Sequence, residues 1–90
     1  MALTYYALDY RDLAGDAILE ALNGVIADRT QAWGGVVADG FGAFALASNF
    51  GDSCAAGLLI PLPSGGCDIH PSPLGRDLLA HAIAAVLDAK

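Results

Sequence analysis

Cys67-Asp68-Ile69-His70-Pro71, continued by Ser72-Pro73-Leu74-Gly75 and an apolar run towards the C-terminus, is the stretch on which the reading of the fold turns. A proline restricts the residue before it to extended or turn geometry, so Pro71 keeps His70 out of a helix. Pro73 delays the helix further. The imidazole is therefore expected on a constrained loop just ahead of a helix, with Asp68 two positions upstream to orient the ring or stabilise its charged form. A neutral histidine held in one tautomer is a good proton acceptor at neutral pH, which makes His70 a candidate general base. The competing role for both residues is structural, because Asp and Pro also mark turns.

Downstream, the spacing predicts a helix from Leu74 to Asp88. Leu74, Leu78, Ala82, Ile83, Val86 and Leu87 make its buried face, and Asp77, His81 and Asp88 point to water. Upstream, residues 47–73 form the longest irregular stretch, punctuated by Pro61, Pro63, Gly65 and Gly66. Within it, Leu58, Leu59, Ile60 and Leu62 read as a strand or a hydrophobic patch. Val36-Val37-Ala38 is a short buried strand, and Asp39 at its end is a turn former before Gly40 or a residue at a ligand-binding sheet edge. Phe41, Phe44 and Phe50 are expected to plug the core.

From Leu13 to Ala32, Ile18, Leu22, Val25, Ile26 and the Arg29 stem fall at helical spacing, behind candidate caps at Asp9 and Asp12. Gly34-Gly35 stops that helix, and Trp33 is expected to fold back into the core. Leu3 to Leu8 reads as a further short strand. Strand, helix and strand in that order imply a crossover and a parallel pair.

Ninety residues make one small domain, taken as 1–90. Hydrophobic residues are 56% and charged ones 16%, which is more apolar than an ordinary domain of this size. That balance fits a piece of a larger core or a chain that associates with itself. A net charge of −6, with only Arg11, Arg29, Arg76 and Lys90 basic and dispersed, argues against nucleic acid and anionic membranes as partners. No apolar run approaches a membrane span, and the start of the chain does not read as a signal peptide. No metal-ligand cluster or cofactor motif appears. Cys54 and Cys67 bracket a loop whose closure by a disulfide is one reading, and two free thiols the other.

Asp-Ile-His-Pro, a small spacer, Gly75 and Leu78-Leu79-Ala80-His81-Ala82-Ile83 together resemble the last block of the SGNH/GDSL hydrolases. Thr4-Tyr5-Tyr6, Ala21 to Asp28 and Val36 to Phe41 are similar to the late strand, helix and last strand of that family's C-terminal half, especially in its secreted actinobacterial members. The resemblance implies an α/β architecture, the C-terminal part of a three-layer α/β/α, flavodoxin-like sheet ordered strand, helix, strand, long loop and helix. It implies a serine ester hydrolase, or a C-terminal portion of one, with His70 as general base, a small ester or lipid-like substrate and no cofactor. It also implies a Cys54–Cys67 disulfide and a secreted location, and makes Leu58, Leu59, Ile60 and Leu62 an acyl-binding wall.

The family's acid stands three residues before the histidine, where this chain has Cys67, so Asp68 is one residue closer. The family's nucleophile block belongs upstream of the strand at Leu3. Gly51-Asp52-Ser53 has the same letters in another place, so Ser53 is expected as a loop serine, with a recruited nucleophile near Asn49 as the other possibility. A catalytically inactive truncated hydrolase, self-associating or partner-binding, is the alternative to an active enzyme.

Overall fold

In the computed structural model residues 1–88 are described, and the chain runs β1 (Ala2–Leu3), α1 (Leu13–Ala32), β2 (Val37–Ala38), α2 (Gly40–Ala47), β3 (Leu59–Pro61), β4 (Cys67–Pro71) and α3 (Pro73–Asp88). It is a small mixed α/β domain of three helices and two separate two-stranded sheets. β1 and β2 are parallel, with Ala2 opposite Val37 and Leu3 opposite Ala38, as the strand–helix–strand order requires. β3 and β4 are antiparallel and irregular between Leu59 and Pro61.

α1 begins where Asp12 accepts a hydrogen bond from the Gly15 N–H at 3.1 Å, with Asp16 in its first turn and Arg29 in its last. Both charges complement the helix dipole. It ends as expected: Gly34 follows with φ 78°, a conformation glycine adopts without a Cβ penalty. The face turned inward differs from the expected one. Asn23 is buried and Leu19, Ile26, Ala27 and Thr30 partly so, whereas Ile18, at 75% exposure, Leu22 and Val25 face outward. Asn23 decides this rotation. Its side chain accepts the Tyr5 N–H at 2.8 Å and donates to the Tyr5 carbonyl at 2.9 Å, so it acts as a surrogate strand beside the extended chain after β1. Trp33, expected in the core, is 89% exposed at the helix end.

The expected strand from Leu3 to Leu8 is paired only at its start. Thr4 still donates to the Ala38 carbonyl, but beyond it the chain turns to side-chain partners: Asn23 at Tyr5, and the Tyr10 hydroxyl, which accepts from the Ala7 N–H. α2 was not expected as a helix. Asp39 caps it through the Gly42 N–H at 2.9 Å, repeating the Asp-x-x-Gly arrangement of Asp12 and Gly15. Within the stretch expected to be irregular, Leu62 and Gly66 close the β3–β4 hairpin, with Gly65 and Gly66 at positive φ.

α3 is capped by Ser72, whose hydroxyl accepts the Gly75 N–H and donates to the Gly57 carbonyl at 2.7 Å. Pro73 fills the first helical position, where no N–H is needed. Gly75 is the close approach of the fold: a Cβ there would collide with the Leu58 carbonyl and crowd the Phe44 ring and Pro71. Gly75 and Leu79 therefore form the buried contact of α3, while Leu74 and Leu87, expected inside, are half exposed. His81 and Asp77 face water as expected.

The core gathers Ala7, Tyr10, Phe44, Ala45, Leu58, Leu59 and Leu79, with Phe44 wholly buried and stacked on Tyr6 at 4.3 Å between ring centroids. Phe41 packs on its edge, but Phe50 is 61% exposed. Among the described residues no helix is long and apolar enough to cross a membrane.

Candidate functional site

β4 carries the candidate site. Successive residues of a strand point to opposite faces, so Asp68 and His70 lie on the same one. Nδ1 of His70 is 2.8 Å from Oδ1 of Asp68, and the same oxygen lies 3.4 Å from the His70 backbone N–H. An ionised carboxylate only accepts hydrogen bonds, so Nδ1 must carry the proton in this contact. In the neutral ring the lone pair is then on Nε2, directed away from Asp68. The imidazole is well exposed and the carboxylate partly so. The hydrogen bond from His70 holds the Asp68 carboxyl below the ordinary carboxylate range. His70 thus sits on a strand and not on the expected loop, though still directly before the last helix.

Two covalent or polar ties fix β4. Cys67, its first residue, is bonded to Cys54, which realises the disulfide reading. The Tyr6 hydroxyl donates to the Ile69 carbonyl at 2.7 Å, fastening the strand to the N-terminal segment between Asp68 and His70. Burial is the main cause that raises the Tyr6 hydroxyl above its ordinary pKa, with Asp68 adding to it. Tyr6 therefore stays a donor under any ordinary condition.

Beside His70 opens a shallow groove of about 550 Å³ lined by Tyr5, Tyr6, Leu8, Leu19, Leu22 and Ile69. Its walls come from the N-terminal segment and α1. A second depression of about 360 Å³ shares Tyr6, Leu8, Leu19 and Leu22 and reaches Asp9, Asp12 and Asp16. The two form one trough along α1, apolar beside His70 and acidic at the far end. The expected acyl-binding wall is not there: Leu58 and Leu59 are core residues, and Ile60 and Leu62, on the hairpin, do not line the trough.

Ser53 is fully buried, and its hydroxyl donates to the Ala7 carbonyl at 2.6 Å. Its N–H bonds to the Leu8 carbonyl, and its own carbonyl accepts from Leu58. Ser53 therefore clamps the N-terminal segment to the turn before β3, a structural role in keeping with a loop serine. Asn49 is exposed at positive φ, and Asp39 is the α2 cap, the turn-former role. Among the described residues no cluster of His, Cys, Asp and Glu could hold a metal ion.

Sequence reasoning missed the trough, because its residues fall in two segments whose contact depends on the rotation of α1. The Asp-x-x-Gly repeat at Asp39 was a legible sign of α2, and Pro63-Ser64-Gly65-Gly66 between apolar runs was a sign of the hairpin. No protein-family model, curated protein or solved structure matches this chain.

Proposed function

We propose that this chain carries the Asp–His half of an ester-hydrolysing site, in keeping with its resemblance to the C-terminal part of SGNH/GDSL hydrolases. One observation carries the reading: Asp68 holds the His70 ring by Nδ1 and leaves Nε2 free at the mouth of an apolar groove. An apolar acyl or aryl group lies against Tyr5, Leu8, Leu19, Leu22 and Ile69, with its ester carbonyl near Nε2. His70 takes the proton from the attacking hydroxyl group as the bond to the carbonyl carbon forms. The same proton is then given to the departing alcohol as the tetrahedral centre collapses. Asp68 orients the ring and stabilises the imidazolium that forms between these steps.

The attacking group is not Ser53, whose hydroxyl is committed to Ala7. For this chain alone it is water. In the three-layer hydrolase arrangement that the resemblance implies, it is a serine presented beside His70 from another part of the enzyme. A secreted setting suits the disulfide.

The test is hydrolysis of a short-chain aryl ester by the purified chain and its His70→Ala, Asp68→Asn and Ser53→Ala variants. His70→Ala should lower the rate by about 10²-fold, the lower end for general-base catalysis. Asp68→Asn should lower it less, by loosening the ring. Ser53→Ala should be less stable, by about 1–3 kcal/mol for a buried carbonyl left without its donor, yet equally active per folded molecule. An unchanged rate in His70→Ala would sink the proposal. An inactive wild-type chain would favour the alternative of a binding module, for which the outward apolar face of α1 is the supporting observation.

A further inference from the structure

α1 has more apolar surface than its own domain covers. Leu19, Ile26 and Ala27 face inward, but Ile18, Leu22 and Val25 form a second stripe at positions i, i+4 and i+7, exposed at 75%, 47% and 59%. Ala14 and Ala21 widen it, and Arg29 continues it one turn beyond Val25. From Ile18 to Arg29 the stripe runs ~16 Å along the helix. A continuous apolar strip on a surface helix marks an interaction site more often than it marks bare surface.

Charge identifies what fits it. Arg29 is the cation on the stripe, and among the described residues it makes no ion pair. The opposite end of α1 is acidic: Asp9, Asp12, Asp16 and nearby Asp52 stand against one cation, Arg11, which is 2.8 Å from Asp9 and 3.7 Å from Asp52. A partner for this stripe needs an apolar helix face with acidic groups placed where Arg29 arrives. A second copy of α1 running antiparallel across Leu22 meets both needs. Ile18 then packs on Val25 of the other copy, and Arg29 of each reaches the acidic end of the other. A parallel pair would set the two arginines side by side and the acidic ends together.

We propose that this chain forms a two-fold symmetric dimer through antiparallel packing of α1, with Ile18, Leu22 and Val25 at its centre and Arg29 at the partner's acidic end. The contact is isologous, so it closes after two copies and does not propagate. It shares Leu22 with the apolar groove beside His70 but uses neither Asp68 nor His70, so sedimentation tests it separately from the ester-hydrolase reading. Partial burial, with repulsion from Asp12, Glu20 and Asp9 adding to it, raises the Asp16 pKa, and an incoming Arg29 offsets that repulsion.

Analytical ultracentrifugation tests the dimer on the whole chain at concentrations on the order of 100 µM, where an interface of micromolar affinity is saturated. The wild-type chain should sediment at twice its 9.1 kDa mass. Ile18→Lys and Val25→Lys should each raise the dissociation constant by at least ~10-fold, the scale of a central contact, with unchanged far-ultraviolet circular dichroism. Arg29→Glu should weaken it about as much at low salt and lose that effect as salt screens the charges. Leu13→Lys, exposed but off the stripe, should leave the dimer intact. A monomeric or open-ended wild-type chain, or a dimer that survives both stripe variants, would overturn the proposal. An Arg29→Glu variant as tight as wild type at low salt would overturn the antiparallel arrangement.

Discussion

Replacing Phe44 with alanine should lower the stability of the folded chain by about 3–5 kcal/mol, the cost of deleting a buried aromatic ring and leaving its cavity. Phe44 is wholly buried, stacks on Tyr6, and lies under Gly75 where α3 passes the Leu58 carbonyl just before β3. Its removal therefore leaves space facing α3, β3 and the N-terminal segment together. These elements cannot easily collapse into it, because the Gly75 contact already brings backbone against backbone. A small domain loses roughly 4–8 °C of melting temperature per kcal/mol, so the shift should be at least ~12 °C. The same substitution at exposed Phe50 should stay within about 0.5 kcal/mol of wild type, as for other surface changes. Thermal denaturation of both variants measures the contrast. Equal shifts for Phe44→Ala and Phe50→Ala would show that the core is not built around Phe44.

Reducing the Cys54–Cys67 disulfide should have an effect of similar size. The bond joins residues 13 apart in sequence, and loop-closure entropy for a loop of this length is worth about 3 kcal/mol. Little else replaces the tie. β3 and β4 form an irregular hairpin separate from the other sheet, and the remaining polar tie to β4 from the N-terminal segment is the Tyr6 contact with Ile69. Cys54 directly follows Ser53, so the bond also joins the hairpin to the clamp on Ala7. Melting with and without a reductant should show a fall of roughly 12–24 °C at the same conversion. The Cys54→Ser/Cys67→Ser double variant should match the reduced chain. If the reduced chain melts at the oxidised temperature, the bond adds nothing to folding. On the proposed ester-hydrolase reading, a reduced chain that keeps its fold should also lose that activity, because β4 then positions His70 less tightly.

The candidate site was legible in part for a local reason. Asp68 and His70 are two residues apart, and any extended geometry puts them on one face, so their contact did not depend on the rest of the chain. The proline that keeps His70 extended acts through its own ring on the preceding residue. What lies beside the imidazole was not legible. Tyr5, Leu8, Leu19 and Leu22 come together only because Asn23 holds the Tyr5 backbone and turns α1 about its axis. Ser53 illustrates the same limit from the other side: the sequence reads it as a loop serine, and only its burial against Ala7, 46 positions away, makes it a clamp.

By itself the sequence determined the spans of α1 and α3, the parallel pairing of Val37-Ala38 with the start of the chain, and the Asp68–His70 pair. Each follows from capping groups, helical spacing, chain connectivity or prolines acting over a few residues. Only the tertiary structure decided which face of α1 is buried, that Trp33 lies in water and that Ser53 is sealed. α1 is apolar over most of its circumference, so its own pattern admits more than one rotation, and the choice falls to partners distant in the chain. Asn23 against Tyr5 makes that choice for α1, because a buried polar group must find its partner, and Gly75 against Leu58 sets the buried face of α3, because two backbones can meet only where no side chain intervenes.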